Sequence, residues 1–158
     1  MWENNPFMDK PEFRGLKILM VMINNWDMKD DNNEILASRN ESTGEEELDY
    51  IISDLGGSFG KTGGVISRSR NKPTDYVKAS FIEKVNGEVI DFKYSGKNKK
   101  LFENLTVADA QWLSKLLNRL SDAQIRDAFR AANYSDEELD TLVTGFKDRI
   151  NELAQVGK

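Results

Sequence analysis

Asp27 and Asn32 stand five residues apart in the stretch Asn24-Asn25-Trp26-Asp27-Met28-Lys29-Asp30-Asp31-Asn32-Asn33, and Asp54 follows at the head of a glycine-rich run. A carboxylate can orient a hydroxyl and accept its proton, and amide and carboxylate oxygens are the donors that magnesium prefers. With Asp27 as the hydroxyl-orienting base, and Asn32 and Asp54 as oxygen ligands, the three residues suit phosphoryl transfer. The same stretch has a plainer reading. Asn and Asp compete with the backbone for hydrogen bonds, so they end helices and build turns. On that reading Asn33 caps a turn and Asp30 and Asp31 are solvated.

The composition narrows the chemistry. The 158 residues contain no Cys and no His, so thiolate zinc sites, disulfides and imidazole bases are excluded. Catalysis must use carboxylates, Lys, hydroxyls or an oxygen-ligated metal. A hydrophobic content of 39% and a charged content of 31% fit one globular domain. The net charge of −5 argues against a general nucleic-acid binder, although the segment 61–100 holds ten Lys/Arg against four acids. That basic segment reads as a solvated loop and hairpin face, or as a surface for an anionic ligand. The apolar run from Leu16 to Ile23 is too short to span a bilayer, and the N-terminus lacks the pattern of a signal peptide. Compartment stays open.

Several elements must position these residues. Asp9, Pro11 and Glu12 predict a capped helix start, and residues 13–23 predict a helix apolar on nearly every face, ending at Asn24-Asn25. Trp2 and Phe7, ahead of it, suggest a segment that packs against preceding structure. Glu34–Ala37 and Asp49–Ser53 predict two short strands joined through a polar surface turn over 38–47. Closing that hairpin would bring Asn32 and Asp54 to one edge. Asn86-Gly87 between alternating segments predicts a second hairpin over 80–94. Thr106, Ser121 and Ser135 each precede an apolar-periodic run, with Gln124 and Glu138 completing capping boxes, and predict three terminal helices. Met20, Met22, Trp112, Phe129 and Phe146 fall at helical spacing and read as core. The expected class is α+β, mostly helical with two hairpins, as a single domain over 1–158.

The order helix, Asp27, Asn32, hairpin and Asp54-Leu55-Gly56 resembles the catalytic and metal-binding loops of the protein-kinase-like fold, where a catalytic Asp precedes a metal-binding Asn by five residues. Gly60, six residues past Asp54, makes the phosphoinositide 3/4-kinase-like branch the nearest in motif. The resemblance covers roughly residues 13–62. It departs from the pattern at Trp26, which stands where protein kinases usually carry Arg, and at Leu55, which replaces Phe.

The resemblance implies a kinase-like C-terminal lobe that binds ATP with magnesium or manganese and transfers a phosphoryl group to a hydroxyl-bearing acceptor. It makes Asp27 catalytic, Asn32 and Asp54 metal ligands, Gly56 a cofactor contact, and Lys29 and Lys61 candidate phosphate or substrate contacts. Upstream of Asp27 there is no Gly-rich phosphate loop and no strand Lys with a partner Glu. The chain is therefore expected to be a piece of a longer protein, or to need a partner chain for the N-terminal lobe, and to be inactive alone.

Gly60-Lys61-Thr62 after a strand suggests a phosphate-binding P-loop instead, but position 55 is Leu and Gly56 lies one residue too close to the Gly-Lys pair. Residues 63–68 also fail to open a helix. Under the kinase-like reading this segment becomes an activation-type or substrate loop in which Lys61, Arg68 and Arg70 can meet phosphate. The competing function is a non-catalytic protein-interaction module, either a degenerate kinase lobe or an unrelated α+β domain.

Overall fold

The computed structural model describes residues 2–158 and is α+β, with five helices and two small antiparallel hairpins. Helix α1 spans Pro11–Met22. Its expected side-chain cap at Asp9 does not form. Lys10 is the N-cap, extended and without a side-chain hydrogen bond, because Pro11 at the first turn lacks an N–H and pushes its predecessor into the β region. Ile18, Val21 and Met22 are fully buried, which accounts for the apolar faces of this helix.

Strands β1 (Asn33–Arg39) and β2 (Glu46–Ile52) pair from Asn33↔Ile52 to Arg39↔Glu46, a longer hairpin than the β-branched residues predicted. Two polar devices extend it. Opposite charges face each other at its last rung, and Asn40 closes the turn by accepting from the N–H groups of Ser42 and Thr43. Six of the seven residues of β1 are exposed or half-exposed, so this hairpin adds little to the core.

A short helix α2 (Pro73–Lys78) follows, then β3 (Ile82–Asn86) and β4 (Val89–Phe92) turning at Gly87 as predicted. The last three helices are α3 (Val107–Leu117), α4 (Asp122–Ala131) and α5 (Asp136–Gln155), each opened by a complete capping box from Thr106, Ser121 or Ser135. The box at Thr106 uses Asp109 in place of Glu or Gln, and Asp109 also takes Arg14 of α1 bidentately at 2.7 and 2.6 Å. One carboxylate thus fixes the start of α3 and ties it to α1.

The core forms where α3 packs on α1 and α5, and where α5 also meets α2 and α4. Trp2 corrects the sequence expectation. It is buried within this chain, its ring against Phe13 and Tyr50, its backbone N–H on Asp30 Oδ1 and its indole N–H on the Lys29 carbonyl. A large aromatic with a satisfied indole is worth about 2–3 kcal/mol when buried. The N-terminal segment therefore closes over the Lys29–Asp31 turn, and Asp30 is a structural acceptor. Among the described residues no helix is long and apolar enough to cross a membrane.

Candidate functional site

Helix α1 stops in a Schellman turn. Asn24 is left-handed (φ 55°), its N–H reaches the Val21 carbonyl, and the Asn25 N–H reaches Met20. The helix-stop reading is thus correct for this Asn pair. Both side chains also work beyond the turn. Asn24 donates to the Gly60 carbonyl at 2.7 Å, and Asn25 Oδ1 accepts from the Asp27 N–H at 3.1 Å. The turn therefore fixes Asp27 and the segment after Asp54 together.

Asp27 is 9% exposed and meets two cations: Lys29 Nζ lies 3.0 Å from Oδ2 and Lys97 Nζ lies 2.9 Å from Oδ1. Oδ1 is closed off from solvent and faces Lys97, whose ammonium is its partner. Burial alone would push this carboxyl up. The Lys97 and Lys29 ammoniums outweigh that and hold it below the ordinary carboxylate range. Asp27 in turn raises Lys29, with Asp54 adding to the pull. Asp54 thus lies near enough to Lys29 for its charge to be felt.

Asn32 lies in a short 3-10 turn (Asp30–Asn32) just before β1. Its Nδ2 donates to the Asp27 carbonyl at 2.9 Å, which leaves Oδ1 as the atom it can offer a cation. The hairpin ladder runs one step past β1 and β2, with the Ser53 N–H on the Asn32 carbonyl at 3.0 Å, so Ser53 faces Asn32 and Asp54 follows one residue beyond. Asp54 accepts from the Gly56 N–H at 2.8 Å, which makes Gly56 the residue that orients this carboxylate. Gly57 then passes so close to the Asp27 loop that a Cβ would sit 3.1 Å from Asn25 Oδ1 and 3.3 Å from Asp27 Cβ. Its carbonyl accepts the Trp26 N–H, and the Phe59 N–H reaches Ile23.

Asp27, Asn32 and Lys29 are thereby in direct contact, while Asp54 and Gly56 are bonded to each other on the neighbouring strand end. Lys61 joins neither group: its backbone closes the base of a loop against Ser69, its charge acts on Asp75, and among the described residues its ammonium pairs with none of Asp27, Asn32 and Asp54. The loop over 61–69 forms no helix, as expected of a segment that is not a P-loop, and leaves Val65 and Ile66 exposed. Arg68 stacks 3.9 Å over the Trp26 ring, whose indole N–H donates to the Ser69 carbonyl. Trp26 is thus the post that ties this loop to the residue before Asp27.

The donor set can be tested against a divalent cation. Among the described residues no three or more acidic side chains gather as a metal cluster. Magnesium needs none, since it is commonly held by one or two carboxylates with phosphates and water completing the shell. Asn32 Oδ1 and the Asp54 carboxylate are oxygen donors of the type it takes. An apolar cleft of about 540 Å³ between Leu19, Ile23, Leu55, Phe59, Ile125 and Phe146 is lined by no carboxylate, Lys or Arg and does not include Asp27.

Sequence reasoning missed three residues here. Lys97 was counted only as one of many cations. Tyr94 donates its hydroxyl to the Asn25 carbonyl at 2.9 Å, and burial pushes its phenol up, with the Asp27 charge adding to the effect. Arg149 of α5 is buried and donates to the Met22 and Tyr76 carbonyls, Asn24 Oδ1 and the Ala79 carbonyl. The one available signal was an Arg on the apolar side of a helix stripe. No known family, no curated protein and no solved structure matches this chain.

Proposed function

We propose that this chain is the catalytic lobe of a kinase-like phosphotransferase, a C-terminal lobe in the sense of the protein-kinase-like fold. The observation that carries this reading is the state of Asp27. It is a nearly buried carboxylate kept ionised by two lysines, with the Asn32 amide bonded to the backbone carbonyl of Asp27 and Asp54 one residue past the backbone partner of Asn32. In the step, a hydroxyl oxygen of the acceptor attacks the γ-phosphorus, the bond from that phosphorus to the departing ADP oxygen breaks, and the hydroxyl proton passes toward Asp27. Asp27 orients the hydroxyl and Asn32 holds the Asp27 carbonyl in place. Asn32 Oδ1 and Asp54 would hold magnesium or manganese, which supplies charge neutralisation on the phosphates when bound. Lys29 faces the same region and can meet a phosphate oxygen.

The reading leaves the adenine and the β-phosphate to a second lobe or chain. ATP with magnesium is then expected to shift the melting temperature of this chain very little. Transfer is measured with γ-labelled ATP on the longest natural form that contains this chain. Asp27→Ala and Asp54→Ala are each expected to lower it by about a hundredfold or more. Normal transfer in both variants removes the mechanism.

A second reading is favoured by the same lysines. If the Lys29–Asp27–Lys97 contacts serve only as a structural latch, the chain is a non-catalytic interaction module, and Asp27→Asn is tolerated without loss of function.

A further inference from the structure

We infer that Lys97, together with Lys29, holds the phosphoryl group presented to Asp27, an inference that rests on the phosphotransferase reading. Lys97 comes from the loop after β4 and lies in no motif. Its placement is nonetheless built at several points. Its N–H donates to the Trp26 carbonyl at 2.9 Å, Tyr94 donates to the Asn25 carbonyl at 2.9 Å and to the Lys97 carbonyl at 3.1 Å, and Asn98 donates to the Met28 carbonyl at 2.6 Å. The segment from Tyr94 to Asn98 therefore grips the backbone on both sides of Asp27. Gly96 has no room for a Cβ, which would lie 2.7 Å from Trp26 Cα. The grip needs that close approach.

The grip delivers Lys97 Nζ to 2.9 Å from Asp27 Oδ1, opposite Lys29 at 3.0 Å from Oδ2, while the two lysine side chains remain 46% and 43% exposed. An ammonium has three donors. Asp27 engages one on each lysine, and both side chains are partly open to solvent. Two cations meet the Asp27 carboxylate there, with Asp54 acting on Lys29 from farther off, and a tetrahedral oxyanion can bridge the two ammoniums. A latch would need only one lysine. A pair flanking the base on both oxygens also places a bound phosphoryl group next to the hydroxyl that Asp27 orients.

The probe is inorganic phosphate, titrated into the whole chain and followed by NMR of the lysine side chains. Wild-type protein is expected to bind it, and Lys97→Ala to bind about tenfold more weakly, the loss of one charge-assisted contact. Alanine keeps the backbone donor to Trp26, so the grip survives the change. Lys97→Arg is expected to bind near the wild-type level. Lys93→Ala, which removes a more exposed cation paired with Glu83, is expected to bind as wild type. Three results overturn the inference: no phosphate binding by wild type, wild-type affinity in Lys97→Ala, or equal weakening in Lys93→Ala. The two proposals fail separately. Lys97-dependent phosphate binding with transfer indifferent to Asp27→Ala removes the phosphotransferase and keeps the anion site. Transfer lost in Asp27→Ala with phosphate binding intact in Lys97→Ala does the reverse.

Discussion

Asp27 has a folded-state pKa below that of the unfolded chain, since burial opposes ionisation but Lys97 and Lys29 overcome it. Asp109 follows the same balance, its burial outweighed by Arg14 and by Thr106. The sign is then fixed. Where the pH lies between the two values, the unfolded chain takes up a proton that the folded chain does not, so acid favours unfolding. The stabilisation is fully present above the ordinary Asp pKa of about 3.9 and is lost as pH falls through the depressed folded value. Urea midpoints measured from about pH 6 down to about pH 3 are expected to fall, and to fall less steeply in Asp27→Asn and in Asp109→Asn. An acid slope unchanged in both variants contradicts the assignment. At this scale the sequence was informative about residues that lie near one another. The Asp27–Asn32 spacing is local, and the amide reaches the Asp27 carbonyl because both belong to one turn. Lys97 was illegible because it arrives from 70 residues away, as the neighbour of Tyr94 and Asn98 in a loop with no motif of its own.

The elements around the site are held by polar keys as much as by apolar packing. Arg149 of α5 donates to carbonyls at the ends of both α1 and α2, places where helix dipoles favour a cation, and its guanidinium stacks 4.2 Å over Tyr76. Tyr76 in turn donates its hydroxyl to the Met22 carbonyl, with burial pushing its pKa up to about 12. Arg149→Met would leave several buried acceptors unpaired and is expected to cost about 2–4 kcal/mol. Arg149→Lys is expected to recover only part of this, because one ammonium cannot span the fork. Equilibrium unfolding checks both, and wild-type stability in the Met variant would show that the carbonyls find other donors. The elements with strong local signals were legible: the Asn86-Gly87 hairpin and the three capped terminal helices. Those decided by tertiary contact were not. Helix α2 is six residues long, too short to show a period, and is held by Arg149 and Gly145 of α5. The β1–β2 hairpin outran its β-branched residues because charge pairing and Asn40 extended it.

At the scale of the whole molecule, α1 and the helices that pack around it form a platform, and the two hairpins leave it near the Asp27 loop. Residues 24–32 come from the end of α1, residues 53–60 return from β2, and residues 94–98 return from β4, so three separated segments meet on one turn. The α+β class and the first two of these segments could be read in advance, since a hairpin brings its own ends together. The third depended on where the second hairpin docks, which local pattern does not encode. Likewise, Trp2 could be read as apolar but not as part of the chain's own core, because its partner Tyr50 lies on β2. The central claim is that Asn32 and Asp54 hold a cation on the phosphates beside Asp27. Manganese is paramagnetic and reports even weak occupancy, so NMR line broadening by manganese with ATP tests the claim most directly. The account predicts selective broadening at Asn32, Asp54 and Asp27, abolished by Asp54→Ala; broadening centred elsewhere, or unchanged in that variant, would contradict it.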